Sequence, residues 1–387
     1  MQVKATLLCL MLLLAVVAAQ AATYQTLYSF YESDAVNPVA GLTIDQYGNL
    51  YGAAPWGEEN EGWIFELTSS PGGWDLHVLR EFDMRDPEGA GPLGGMVMDE
   101  AGNLYGTTSY DHGEFECGTV FEIPPSHQYT VLHYFNCADG YLPEATLTYS
   151  SGRLWGTTFS GGAYGQGTVF SLDTSGGSFQ FESFSGKKGN EALSAFNLWG
   201  YGTTSAGGKQ DLGNIYRMDP VKGLMNMHTF TATGKAGYAP VGDLLSLNVN
   251  GVRTIYGTTS KGGTGGGGTV FRLSETQPNS NRWRIKVLHS FTTGSDAGWA
   301  PMAGLTPDSA GNLYGTASQG GDCGTVFKLS PGKSDKWTYT VVYSFDFYNS
   351  DACYPTASLV FDNTGNLYGT SQNGGDWYWG AIYEITP

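Results

Sequence analysis

The stretch "GNLYGTTSYDHGEFECGTVFEI", Gly102–Ile123, joins two kinds of sequence. Its ends alternate apolar and polar positions and favour β-branched and aromatic residues, the pattern of half-buried strands. Its middle gathers Asp111, His112, Glu114 and Glu116 into one short loop. The ends recur along the chain and the middle does not.

"LYG" or a close variant stands at Leu50–Gly52, Leu104–Gly106, Leu154–Gly156, Gly200–Gly202, Ile255–Gly257, Leu313–Gly315 and Leu367–Gly369. Each is followed by a second element: "GWIFEL", "GTVFEI", "GTVFSL", "GNIYRM", "GTVFRL", "GTVFKL" and "GAIYEI". A third element is "LYSF", "VLREF", "VLHYF", "FESF", "MHTF", "VLHSF" and "VYSF". A period of about fifty residues built from short strands is the signature of propeller blades. Each unit offers four strands: A after a proline ("PMAGLTPD"), B ("NLYGTT"), C ("GTVFKL") and D ("YTVVYSF"). The A–B turn reads DxxGN at Asp45, Asp99, Asp308 and Asp362, where Gly and Asn supply positive φ. Blade four, "EALSAFNLWGYGTT", lacks that turn.

The ends of the repeat imply closure. A D-type strand, "TYQTLYSF", precedes any A strand, and the sequence stops after the C-type strand "AIYEITP". Pairing the N-terminal strand as the outer strand of the last blade would close the ring and remove two edges. The expectation is therefore an all-β, seven-bladed β-propeller of four-stranded antiparallel blades. It fills residues 22–387 as one domain.

Residues 1–21 carry one Lys, an apolar run and Ala19-Gln20-Ala21, the layout of a secretory signal peptide. The expected product is secreted, extracellular or periplasmic, monomeric, and free of the membrane once the leader is cleaved. A formal net charge of −17 argues against nucleic acid, whose phosphates require Lys and Arg.

The consensus "SF…D(G/A)xxPxxGLxxDxxGNLYGTTSxGGxxGxGTVFxL" resembles the GloVer-type tandem repeat family of secreted bacterial proteins. The resemblance spans nearly all of residues 22–387 and implies an extracellular propeller. It brings no activity and no catalytic residues.

Four cysteines follow the leader: Cys117, Cys137, Cys323 and Cys353. Cys117 and Cys323 precede "GTVF", whereas Cys137 and Cys353 fall after strand D. Strands C and D are antiparallel neighbours, so the start of C lies beside the end of D. That favours Cys117–Cys137 and Cys323–Cys353, which an exported chain permits. Free thiols or a four-thiolate zinc site are the alternatives, and the zinc site would require blades two and six to meet.

In a propeller of this order the D–A and B–C loops share one face, and loops on a rigid scaffold carry function. Aromatic residues there, Trp56, Tyr110, Tyr141, Tyr238, Trp299, Tyr354 and Trp377, are candidates for stacking on sugar rings. Further B–C aromatics are Tyr164, Tyr378 and Trp379. Asp34, Asp86, Asp139, Asp296 and Asp351 recur before the D–A proline and suit turn formation. Lys187, Lys188 and Lys235 interrupt that series, while Glu144 and Glu191 open strand A nearer the channel. Blade one adds Glu58, Glu59 and Glu61. His112 beside Asp111, Glu114 and Glu116 makes a candidate acid–base set, against which stands the plainer reading of a solvated acidic loop. His133, His228 and His289 occupy matching D-strand positions and are expected to be structural. No hydrolase elbow, phosphate loop, zinc motif or calcium loop is present, so neither cofactor nor metal is expected. The functions that fit are polysaccharide binding, polysaccharide cleavage by paired carboxylates or a lyase base, and non-catalytic binding of matrix proteins.

Overall fold

The computed structural model describes residues 22–57, 61–83, 85–185, 200–219, 221–233, 235–277 and 282–387. Residues 1–21, Glu58, Glu59, Lys187, Lys188, Glu191 and the A strand expected in blade four lie outside them. Seven antiparallel sheets form a seven-bladed β-propeller. Blade two shows the pattern: strands A to D are Val97–Met98, Leu104–Thr108, Thr119–Ile123 and Thr130–Tyr134. Among the described residues, six blades have four such strands and blade four has three, Tyr201–Thr204, Asn214–Asp219 and Gly223–Thr229.

The ring closes as the ends imply. Thr23–Ser29 lies antiparallel to Ala381–Thr386, with Thr23 opposite Thr386 and Ser29 opposite Ala381. It forms the outer strand of blade seven. Tyr24 then stacks on Tyr343 of blade six at 4.9 Å, and its hydroxyl accepts the Ala352 N–H.

The two strongest repeat motifs explain each other. The aromatic ring of the "GTVF" element is buried in every blade. A Cβ on Gly52, Gly106, Gly156, Gly202, Gly257, Gly315 or Gly369 would stand 2.3–2.7 Å from that ring or its hydroxyl. The "LYG" glycine is thus the floor on which the next strand's ring lies, and only the absence of a side chain lets it fit.

Strand A is shorter than the sequence implies, two residues in blades one, two, six and seven. Near the axis the chain bonds to the neighbouring blade instead. The Gly95 N–H donates to Thr146 Oγ1, Gly304 N–H to Ser358 Oγ, and Thr306 Oγ1 to the Leu359 carbonyl.

Strand D carries a further regularity that the sequence conceals. The C–D register slips by one residue in blades one, two, four, five and six, and in the N-terminal strand of blade seven. The extra residues, Leu79, Leu132, Met227, Leu288, Val342 and Leu27, are all apolar and pack into inter-blade clusters. Each bulge adds local twist and turns an apolar side chain into the gap between blades.

The DxxGN turns are self-contained. Asp99 Oδ1 accepts the Ala101 and Asn103 N–H groups, and Oδ2 accepts Asn103 Nδ2 and the Tyr105 hydroxyl. Burial alone would raise these carboxyls, yet the donors hold Asp99, Asp308 and Asp362 below the usual range. A groove of about 660 Å³ runs between two of these turns, but its Asp45 and Asp99 are occupied by their own hairpins.

Candidate functional site

The loop face is rigidly held. Among the described residues the D–A loops pair antiparallel with the B–C loop of the following blade: Val36 with Trp56, Ala90 with Tyr110, Tyr141 with Ser160, Tyr238 with Lys261, and Trp299 with Gln319. In blade seven the pair lengthens to Ala352–Cys353 with Asn373–Gly374. The residue before each D–A proline then takes positive φ: Asn37, Gly91, Leu142, Ala239, Ala300 and Tyr354. A left-handed residue before proline costs about 1 kcal/mol or more and persists only where its surroundings over-determine it. Buried hydroxyls supply part of that support. Thr168 Oγ1 and Thr269 Oγ1 donate to the Asp139 and Ala236 carbonyls of the D–A loops. Disulfides Cys117–Cys137 and Cys323–Cys353, with Cα atoms 5.5 and 5.0 Å apart, pin two of these loops to strand C.

The recurring loop aspartates are turn formers. Asp34, Asp139 and Asp351 are buried; they accept the backbone N–H groups of Tyr31, Asn136 and Asp346 and bond to Tyr28, His133 and Tyr343. Asp86 accepts the Glu88 N–H and pairs with Arg80. At Asp296 the turn is held instead by Ser295 Oγ, which accepts the Ala297 N–H. The strand-D histidines are packing residues. His133 stacks on Phe179 at 3.7 Å and His289 on Tyr339 at 4.1 Å, and burial pulls His289 down to about 4.

The blade-two insert divides into architecture and surface. Asp111 is buried, with Oδ1 accepting the Gly113 N–H and Oδ2 the Gly118 N–H. Its carboxylate therefore closes the loop and faces no open cavity, because both oxygens serve the backbone. Glu114 and Glu116 are exposed on the outside of the loop, Glu116 at positive φ. His112 lies 4.0 Å from Glu61 of blade one.

Tyr110 is half-buried, with its ring against Gly91. Its phenol is pushed up by burial, then by nearby Glu144, Tyr141 and Glu61. Glu144 follows Pro143 and lines the axial channel, a cavity of about 110 Å³. The equivalent post-proline residues in the channel wall are Val39, Leu93, Val241, Met302 and Thr356. Burial among them raises Glu144 to about 7. Among the described residues no three of His, Cys, Asp and Glu come close enough to share a metal ion.

The aromatic candidates separate by exposure. Tyr141, Tyr238 and Trp299 are half-buried and pack against hydrophobic clusters beneath the loops. Each stands two residues before its proline, at the position where the D–A loop pairs with the next B–C loop, and the Tyr238 ring lies over Gly262, next to its pairing partner Lys261. Trp56, Tyr354 and Trp377 remain open, at 39%, 37% and 60% exposure. Trp379, Tyr378, Phe347 and Tyr348 join them, with Phe347 and Tyr378 in contact at 5.3 Å.

These exposed rings concentrate where the ring closes. The D–A loop after the N-terminal strand lies between two B–C loops. Its Val36 N–H donates to the Trp56 carbonyl on one side, and its Asn37 N–H to the Trp379 carbonyl on the other at 2.9 Å. The cleft so formed, about 240 Å³, is lined by Trp56, Trp379, Glu32, Val36, Asn37 and Gly57. Glu32 and Asn37 carry no motif, and only their place beside the closing strand marks them.

A closed propeller with a rigid, chemically varied loop face is the class of protein that these features define. The chain belongs to the Gloeobacter/Verrucomicrobia repeat family, whose profile matches residues 15–158, 111–245 and 197–387. No curated protein sequence matches it. Among solved structures, the extracellular domain of a protein assigned as a one-component system from B. thetaiotaomicron is similar, with 12% identity and a TM-score of 0.57. The match covers 94% of this chain but 40% of that one, so this chain spans under half its length. A protein assigned as a 6-phosphogluconolactonase from Bacteroides uniformis is also similar, with 14% identity and a TM-score of 0.52 over 85% of this chain and 88% of that one. At such identities the likeness concerns the propeller alone.

Proposed function

We propose that this chain is an extracellular carbohydrate-binding propeller whose ligand lies across the loop face at blades six, seven and one. The observation that carries this reading is the cleft between Trp56 and Trp379, continued along the rim by Trp377, Tyr378, Phe347 and Tyr348. Flat exposed rings stack on the apolar faces of sugars, and Glu32 and the Asn37 amide stand beside them to take hydroxyl hydrogen bonds. The leader-like residues 1–21 and the two disulfides support an oxidising, extracytoplasmic location. The test is a glycan panel read for both retention and products. Retention that weakens in Trp56→Ala and Trp379→Ala supports the reading, and a protein that retains no glycan overturns it, leaving a protein-binding propeller.

One observation favours a catalytic reading on the same face. Burial in the channel wall raises the Glu144 carboxyl to about 7, and the Tyr110 phenol is close enough to feel its charge, an arrangement that suits a general acid. New reducing ends or unsaturated products that vanish in Glu144→Gln would support it. Their absence across the panel would leave binding alone.

A further inference from the structure

The cleft at the closure also has a charge character. No Lys or Arg occurs between Lys4 and Arg80, or after Lys336. Blade seven, the strand-D side of blade six, and blade one up to its own strand D therefore carry no permanent cation. Arg80 itself is paired with Asp86 and with Glu88 at 3.1 Å. The same sector presents Glu32 in the cleft and Asp376 beside Trp377, both exposed. Thus the rim with the most open aromatic rings is also the rim with unbalanced negative charge.

Those two properties act on one kind of ligand. The face of an indole or phenol ring is electron-rich and attracts cations, most strongly where a carboxylate stands beside it. An anionic polyuronate would meet Glu32 and Asp376 with no Lys or Arg to offset them. A neutral glycan would use the rings and leave the carboxylates without a partner of opposite sign. We infer that the occupant of the Trp56–Trp379 cleft is a polysaccharide bearing protonated amino groups, of the deacetylated hexosamine class. The sugar ring stacks on indole, and its ammonium group faces Glu32. A cleft of about 240 Å³ suits one such sugar unit, and the rim aromatics continue the track for its neighbours.

This inference rests on the carbohydrate-binding reading, and the experiment separates the two. The full chain is titrated with chitosan oligomers, with N-acetylated chitin oligomers of equal length, with a polyuronate and with oligolysine, at low and high salt. Chitosan is expected to bind about tenfold tighter than chitin, the scale of a cation over an aromatic face with a carboxylate nearby. That advantage shrinks as salt screens it. Glu32→Gln, an exposed change that leaves folding intact, is expected to remove most of the advantage, so that chitosan and chitin bind alike whatever their common affinity. Equal binding of chitosan and chitin overturns the charge inference and leaves carbohydrate binding standing. Binding of the polyuronate overturns it likewise. Oligolysine binding as tightly as chitosan overturns the saccharide occupant in favour of a basic peptide. No glycan binding at all overturns both readings.

Discussion

The blade-two insert and the closure cleft make an instructive pair. In sequence, "YDHGEFE" departs from the repeat more plainly than anything around Trp379, and it holds the residues associated with catalysis. In three dimensions its buried carboxylate, Asp111, ties down two backbone N–H groups, while Glu114 and Glu116 point outward. At the closure, residues without any motif, Glu32 and Asn37, meet two tryptophans from opposite ends of the chain around an open cavity. Departure from a repeat shows where selection of side chains differs; it does not say whether those side chains face backbone or solvent.

Variants on the two sides should behave oppositely, and the largest contrast lies in stability. Asp111→Ala strands two N–H groups in a buried loop and should cost about 3 kcal/mol in denaturant unfolding. The paired change Cys117→Ser with Cys137→Ser should cost about the same, from the loop entropy released. If either leaves the unfolding midpoint unmoved, the insert is not the brace described above.

Glu144 sharpens the contrast through pH. Its carboxyl is raised from 4.5 to about 7, so the folded state holds the proton more tightly than the unfolded chain. The resulting destabilisation is absent below pH 4.5, develops between 4.5 and 7, and is complete above 7. Glu144→Gln should therefore match the parent at pH 4 and exceed it at pH 8, by about 3 kcal/mol. Parallel stability curves across that range would contradict a desolvated acid in the channel wall.

At the closure the sign reverses. Trp377→Ala, at an open position, should change stability by no more than about 0.5 kcal/mol, yet lower glycan retention several-fold. The smallest effect is expected from Glu114→Gln with Glu116→Gln, within about 0.5 kcal/mol in stability and without effect on retention. Loss of binding or turnover in that pair would restore the insert as a site and break the comparison.

The sequence by itself determined the sevenfold repeat, the strand order, the closing N-terminal strand and both disulfides, because each is set by local pattern or by neighbouring strands. It also marked the face on which loops gather. What only the tertiary structure decided was direction. Trp299 and Trp377 are the same residue type on the same face, but one is half-buried against a hydrophobic cluster beneath its loop, while the other stands 60% exposed on a B–C loop. The apolar bulges in strand D and the bonding of Asp111 depend on register and side-chain orientation, which period-two patterns leave open. The cleft itself exists only because closure brings residues 30–37 between the B–C loops of blades one and seven. No local stretch contains it.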